Sequence, residues 1–122
     1  MSRIMVADDE ENIRYLLRKM LTAEGYEVLE AGGGNEVMSK MQGNEPEILI
    51  IDIIMPDKGG IETIMELQAE YPKLKFIIIT GKVSTETAVL QKLANQFGVK
   101  HIISKPFTKE QIIEAIKDCK SR

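Results

Sequence analysis

The chain has 122 residues, 43% of them hydrophobic and 29% charged, with 16 basic against 19 acidic side chains and a formal net charge of -3. This makes one domain over 1–122 with a core of its own, and the slightly acidic balance argues against a grip on nucleic acid or a polybasic membrane anchor. No apolar run approaches a membrane span, the start MSRIMVADD lacks the apolar segment of a signal peptide, and the single cysteine, Cys119, excludes an internal disulfide and a cysteine-built zinc cluster, so a soluble cytoplasmic protein is expected.

RIMVAD is a short apolar run that predicts a first strand ending at Asp8. In the next segment Ile13, Leu16, Leu17, Met20 and Leu21 recur at helical spacing, and Gly25 ends the pattern. YEVLEA reads as a second strand whose partial alternation suits a less buried edge. The glycines Gly32 to Gly34 lack the lysine and hydroxyl residue that follow in a phosphate-binding loop, so they read as a turn and helix start. Val37, Met38 and Met41 mark that helix, which stops near Gly43. EILIID is a third strand, apolar up to its terminal Asp52, and a helix with Ile61, Ile64, Met65 and Gln68 on one face runs to Pro72. LKFIIIT is a fourth strand. A helical stripe of Leu90, Leu93, Ala94 and Phe97 follows from about Thr85 and closes at Gly98. KHIIS is a fifth strand. Thr108 with Gln111 offers a capping box to a last helix, whose core face is Ile112, Ala115, Ile116 and Cys119.

Strand and helix alternate throughout, and strands three and four are apolar on both faces. That predicts an α/β fold with a doubly wound parallel sheet between two helix layers. In such a sheet, ligands bind beyond the carboxyl ends of the strands. Asp8, Asp9 and Glu10 end strand one, Asp52 ends strand three, Thr80 and Gly81 end strand four, and Ser104 and Lys105 end strand five. Carboxylates brought this close must share protons or be neutralised by a cation, and an all-oxygen donor set suits Mg²⁺. A lysine balances an anion and a threonine hydroxyl donates to one. The set reads as a site for a phosphoryl group and Mg²⁺, with one aspartate as the acceptor. Singly, each residue has a plainer reading: a solvated helix start for Asp8 to Glu10, a loop residue for Asp52, a helix cap for Thr80, a surface lysine for Lys105. Their joint spacing carries the argument. His101, the only histidine, lacks a partner ligand in the sequence and reads as a surface or packing residue.

VADDEENIR, ILIIDIIMPDKGG, FIIITG and IISKPFT, in this order and at these separations, resemble the receiver domains of two-component response regulators over essentially the whole chain. The resemblance implies a (βα)5 flavodoxin-like three-layer sandwich with sheet order 2-1-3-4-5. It implies phosphorylation of Asp52 by a histidine kinase or a histidine phosphotransfer protein. It also implies Mg²⁺ held by Asp9 directly, by Asp8 largely through water, by Asp52 and by the backbone carbonyl of Ile54. Thr80 would hydrogen-bond a phosphoryl oxygen, Lys105 would pair with the phosphoryl group, Pro106 would follow it across an often cis bond, and Gly60 would open helix three. Phosphorylation would reshape the surface formed by the helix before strand five, strand five and the last helix, which acts on an unidentified output protein; the same surface allows a homodimer on phosphorylation. No enzymatic activity beyond its own phosphoryl transfer and slow autodephosphorylation is implied.

The chain departs from the family pattern in places. Ile102 stands where the family usually has Tyr or Phe, three residues before the lysine, so the aromatic rotamer switch is missing or replaced, and His101 alternates to the other face of the strand. The stretch containing GKVSTET is longer than usual. Glu47 replaces a frequent aspartate without expected consequence. Ile54 and Lys82 occupy positions that resemble tuners of dephosphorylation, and a bulky Ile54 predicts slow hydrolysis. Two other readings stand beside the switch: a degenerate receiver that binds partners without phosphorylation, kept alive by Ile102, and a flavodoxin-like cofactor binder or small phosphatase, disfavoured by short loops and the lack of an aromatic platform or second catalytic base.

Overall fold

The computed structural model describes residues 2–55, 57–81, 91–92 and 95–121. Its strands β1 (Arg3–Ala7), β2 (Glu27–Ala31), β3 (Ile48–Asp52), β4 (Lys75–Thr80) and β5 (His101–Ser104) form one sheet. The order is β2-β1-β3-β4-β5 and every pairing is parallel. Helices α1 (Glu11–Ala23), α2 (Gly34–Met41), α3 (Gly60–Glu70) and α4, the last helix (Lys109–Lys120), pack on its two faces. The expected stripe before strand five falls partly outside the described residues, at Leu90, Leu93 and Ala94; Phe97 is partly buried against the core.

The strands without alternation are the ones buried on both sides, as two-sided burial requires. In β1, β3 and β4, Met5, Ala7, Leu49, Ile51, Phe76 and Ile78 face α2 and α3, meeting Val37, Met41, Ile64 and Leu67. Their neighbours Ile4, Val6, Ile48, Ile50, Ile77 and Ile79 face α1 and the last helix, meeting Leu17, Leu21, Ile112, Ala115, Ile116 and Cys119. Each such fully buried aliphatic side chain contributes about 1.5–3 kcal/mol relative to exposure. Strand β2 has only Ala31 buried, as its edge position dictates.

Two helical stripes differ from expectation. Leu16 and Met65 are 45% and 49% exposed. Each directly adjoins a core residue, Leu17 and Ile64, and one residue turns a helix by about 100°. In α3 the buried face is Gly60, Thr63, Ile64 and Leu67, so it includes a threonine and omits Met65. The last helix holds all four expected core residues. Its capping box is formed: Gln111 N donates to Thr108 Oγ1 at 3.1 Å and Thr108 N to Gln111 Oε1 at 2.8 Å.

Candidate functional site

The parallel sheet brings the C-terminal ends of β1, β3, β4 and β5 to one edge, and the polar residues gather there. Asp52 is the last residue of β3 and Asp8 lies one past β1; both are buried, at 4% and 0% exposure, beside Thr80, also 4%, at the end of β4. Asp9 and Glu10 are exposed. Carboxylate oxygens of Asp8, Asp9, Glu10 and Asp52 all lie within 4.8 Å of one another. Lys105, just past β5, extends into this cluster: its Nζ is 2.7 Å from Asp52 Oδ2, 2.8 Å from Asp8 Oδ2 and 3.3 Å from Glu10 Oε1.

Backbone bonds fix the loops that carry these side chains. Asp8 N donates to Ala31 O at 3.1 Å, Ile53 N to Ile79 O at 3.2 Å and Lys105 N to Thr80 O at 2.8 Å, so each loop is tied to the neighbouring strand. One oxygen of each buried aspartate is used locally. Asp8 Oδ1 accepts from Glu10 N and Asp52 Oδ1 from Ile54 N, both at 2.9 Å. The other oxygens face Lys105. At Asp52 that contact is a hydrogen bond. At Asp8 it is an ion pair whose angles fall outside hydrogen-bond geometry, leaving Oδ2 buried without a hydrogen-bond donor among the described residues.

Burial raises the Asp8 carboxyl above its ordinary pKa; contacts from Lys105 and the Glu10 N–H oppose this and the charge of Asp52 reinforces it. Burial by itself would lower Lys105, but its contacts with the Asp52 and Asp8 carboxylates outweigh that and raise it, so the ammonium stays charged. A cluster of four carboxylates, one of them with an under-satisfied buried oxygen, partly neutralised by one lysine, fits a hard divalent cation.

The remaining expected residues fall as follows. Gly60 opens α3, and a Cβ there would lie 2.5 Å from Asp52 O and 2.8 Å from Ile53 Cα, so glycine is required by the closeness of the Asp52 and Ile53 backbone. The Lys105–Pro106 peptide is cis. The Ile54 side chain is 51% exposed. Ile102 packs on the face shared with α2 and α3, while His101 turns to the other face, its Nε2 2.7 Å from Asp118 Oδ2 on the last helix. Lys82 and Pro56 lie outside the described residues. Sequence reasoning missed Arg14, whose Nη1 donates to Asp8 O at 2.7 Å and whose Nε pairs with Glu30 at 3.3 Å. The only signal was a basic residue directly after the core position Ile13. A cavity of about 610 Å³, lined in part by Met41, Glu47, Tyr71, Leu74 and Cys119, opens at the opposite edge of the sheet and contains none of these residues.

Comparison with known proteins points the same way. The family model of the response regulator receiver domain matches residues 4–117. The chain is 33% identical over 115 residues to chemotaxis protein CheY of Thermotoga maritima, with 93% of each covered. A CheY-like receiver domain protein from Methanospirillum hungatei superposes with a TM-score of 0.87 at 30% identity, over 97% of this chain and 92% of that one. Response regulator protein TrrA of Thermotoga maritima, solved in complex with Mg²⁺-BeF, superposes with a TM-score of 0.84 at 30% identity, over 98% and 99%. With a doubly wound sheet in the order 2-1-3-4-5 and this match over nearly its whole length, the chain belongs to the response regulator receiver domains of two-component systems.

Proposed function

We propose that the protein is a phosphorylation-controlled signalling switch in which Asp52 accepts a phosphoryl group from a phosphohistidine of a histidine kinase or histidine phosphotransfer protein. The observation that carries this reading is the buried Asp52 carboxylate, with Lys105 Nζ 2.7 Å away and the under-satisfied Asp8 Oδ2 beside it. An oxygen of Asp52 attacks phosphorus in line. The phosphorus–nitrogen bond breaks and its electron pair stays on the departing imidazole nitrogen. The Lys105 ammonium, fixed by Asp52 and Asp8, balances charge on the transferring oxygens. Thr80, at the end of the adjacent strand, donates its hydroxyl to a phosphoryl oxygen in the modified state. Asp8, Asp9, Asp52 and the Ile54 carbonyl would hold Mg²⁺, which when bound supplies further neutralisation of the phosphoryl oxygens.

Phosphorylation exchanges the pairing of Lys105 with the Asp52 carboxylate for one with the phosphoryl group, which lets this edge rearrange. The readout is assigned to β5, the last helix and the segment before β5, with an unidentified output protein as receiver and a homodimer as one route. Ile102 is the position through which Thr80 movement would be felt there, in place of an aromatic. Ile54 and Lys82 are assigned the tuning of acyl-phosphate lifetime, with Ile54 slowing the attack of water. The proposed compartment is the cytoplasm, with no direct nucleic-acid binding.

The test is incubation with acetyl phosphate, with Mg²⁺ or with chelator, followed by intact-mass measurement. A single adduct that needs Mg²⁺ and is absent from Asp52→Asn supports the switch. An unmodified wild-type protein that still binds its partner selects the phosphorylation-independent module.

A further inference from the structure

The glycine run before α2 is not absorbed by the function above, and neither is Asp57. The N-cap of α2 is Gly33, which has no side chain to satisfy the first amides of the helix. Their acceptors come from elsewhere in the chain. Asp57 Oδ1 accepts from Gly34 N and Asp57 Oδ2 from Asn35 N, both at 3.1 Å. These bonds, with that of Asn35 foremost, hold the Asp57 carboxyl below its ordinary pKa.

The glycines make room for this contact. A Cβ on Gly33 would lie 2.4 Å from Asp57 Oδ1. One on Gly34 would lie 2.6 Å from Lys58 Cβ, 2.6 Å from Thr63 Oγ1 and 2.7 Å from Lys58 O. Neither glycine has a positive φ, so close approach, not backbone freedom, is what requires them. Lys58 is held in turn by Glu66 on α3, and Thr63 Oγ1 donates to Gly59 O at 2.9 Å.

Asp57 lies on the connection from β3 to α3, which also carries Ile54. That connection is pinned near the acceptor by Ile54 N to Asp52 Oδ1 at 2.9 Å and by Gly60 N to Ile53 O at 3.0 Å. Between these bonds, Asp57 ties it to a helix start 22 residues earlier in the chain. We infer that Asp57 is a positioning residue: by capping α2 from the acceptor loop, it sets the placement of Ile54 and so the site that Asp52 and its cation require. The effect on Mg²⁺ rests on the function proposed above; the tether does not.

Capping and tethering are separable. Asp57→Ala removes both. Adding Gly33→Ser to Asp57→Ala gives α2 a cap of its own, since the three nearest heavy atoms to a Cβ at Gly33 belong to the Asp57 carboxylate that the first substitution removes, yet it leaves the loop untied. We measure melting temperature, amide hydrogen exchange at Ile54 and Gly60, and Mg²⁺ affinity by calorimetry on the whole chain. Asp57→Ala is expected to lower the melting temperature by about 4 °C, and the double variant to regain most of it. In both variants, exchange at Ile54 and Gly60 speeds up about tenfold and Mg²⁺ binds about tenfold more weakly, the low end for residues that orient metal ligands. Wild-type exchange at Ile54 and Gly60 in the double variant overturns the inference, because Asp57 then acts only as a cap. Faster exchange in a protein whose wild type binds no Mg²⁺ upholds the tether and instead removes the proposed phosphoryl chemistry.

Discussion

The acceptor loop after Asp52 and the last helix solve the same problem in opposite ways. Each must satisfy backbone groups where regular structure begins or ends. The last helix does so with residues three apart, Thr108 and Gln111, whose side chains and amides exchange two bonds. The acceptor loop draws on the whole molecule. Its Ile53 N uses β4, Gly60 must be a glycine because Asp52 O and Ile53 Cα lie where a Cβ would go, and Asp57 caps a helix from another part of the chain. A self-contained element tolerates change one residue at a time; a region built from distant segments does not, because each residue there serves several constraints. The region to which the phosphoryl chemistry is assigned is the second kind, where buried charges can be held near one another only by tertiary structure.

Substitutions on either side of this contrast can sharpen or break it. The largest effect is expected at Gly60→Ala. The new Cβ meets backbone atoms that cannot swing aside, so the cost is about 3 kcal/mol, the upper end of the usual range for overpacking. Urea unfolding measures it, and a cost near zero would show that the acceptor loop yields as easily as a surface loop. Next, Mg²⁺ at a hundredfold excess over its Kd should stabilise the wild type by about 2.7 kcal/mol. Thermal melts with and without the ion should find this gain largely lost in Asp52→Asn and intact in Thr108→Ala.

Asp8→Asn tests the electrostatics of the same region. The folded-state pKa of Asp8 lies above the ordinary 3.8, mainly through burial. The folded protein therefore retains a proton that the unfolded chain has released, and the stability this gives below 3.8 is lost as pH rises through the raised value. In chelator, Asp8→Asn should thus gain on the wild type as pH climbs from about 3.5 through that window and keep a constant lead at neutral pH. A lead independent of pH would assign the effect to packing instead.

On the other side, Thr108→Ala should cost about 1 kcal/mol through the lost cap and leave Mg²⁺ affinity and phosphoryl uptake at wild-type levels, read by melting and intact mass. Leu16→Ala should be smallest, within about 0.5 kcal/mol, because Leu16 is 45% exposed on α1.

Local pattern made much of the fold legible. The unbroken apolar runs of β3 and β4 announced two-sided burial, the weaker pattern of β2 announced an edge, and the last helix carried its cap and its four core residues in twelve consecutive positions. The stripes of α1 and α3 were less legible. Leu16 and Met65 are as apolar as their buried neighbours, and only packing against the sheet decides which side of a helix is covered. In the site, Asp8, Asp52, Thr80 and Lys105 were recognisable because each ends or directly follows an apolar strand, and parallel strands bring their ends to one edge. Arg14 and Asp57 were not. Both act through backbone groups, Asp8 O for one and the amides of Gly34 and Asn35 for the other, and a backbone group has no letter of its own in the sequence.

The sequence by itself therefore determined the element order, the parallel sheet and the residue types at its working edge, because hydrophobic period and strand termini are local properties. Only the tertiary structure decided that Lys105 bridges Asp52 and Asp8, that one Asp8 oxygen is left buried without a hydrogen-bond donor among the described residues, and that Asp57 closes the start of α2. Distances of about 3 Å between residues tens of positions apart depend on how strands and helices pack, and packing is settled by the whole chain at once.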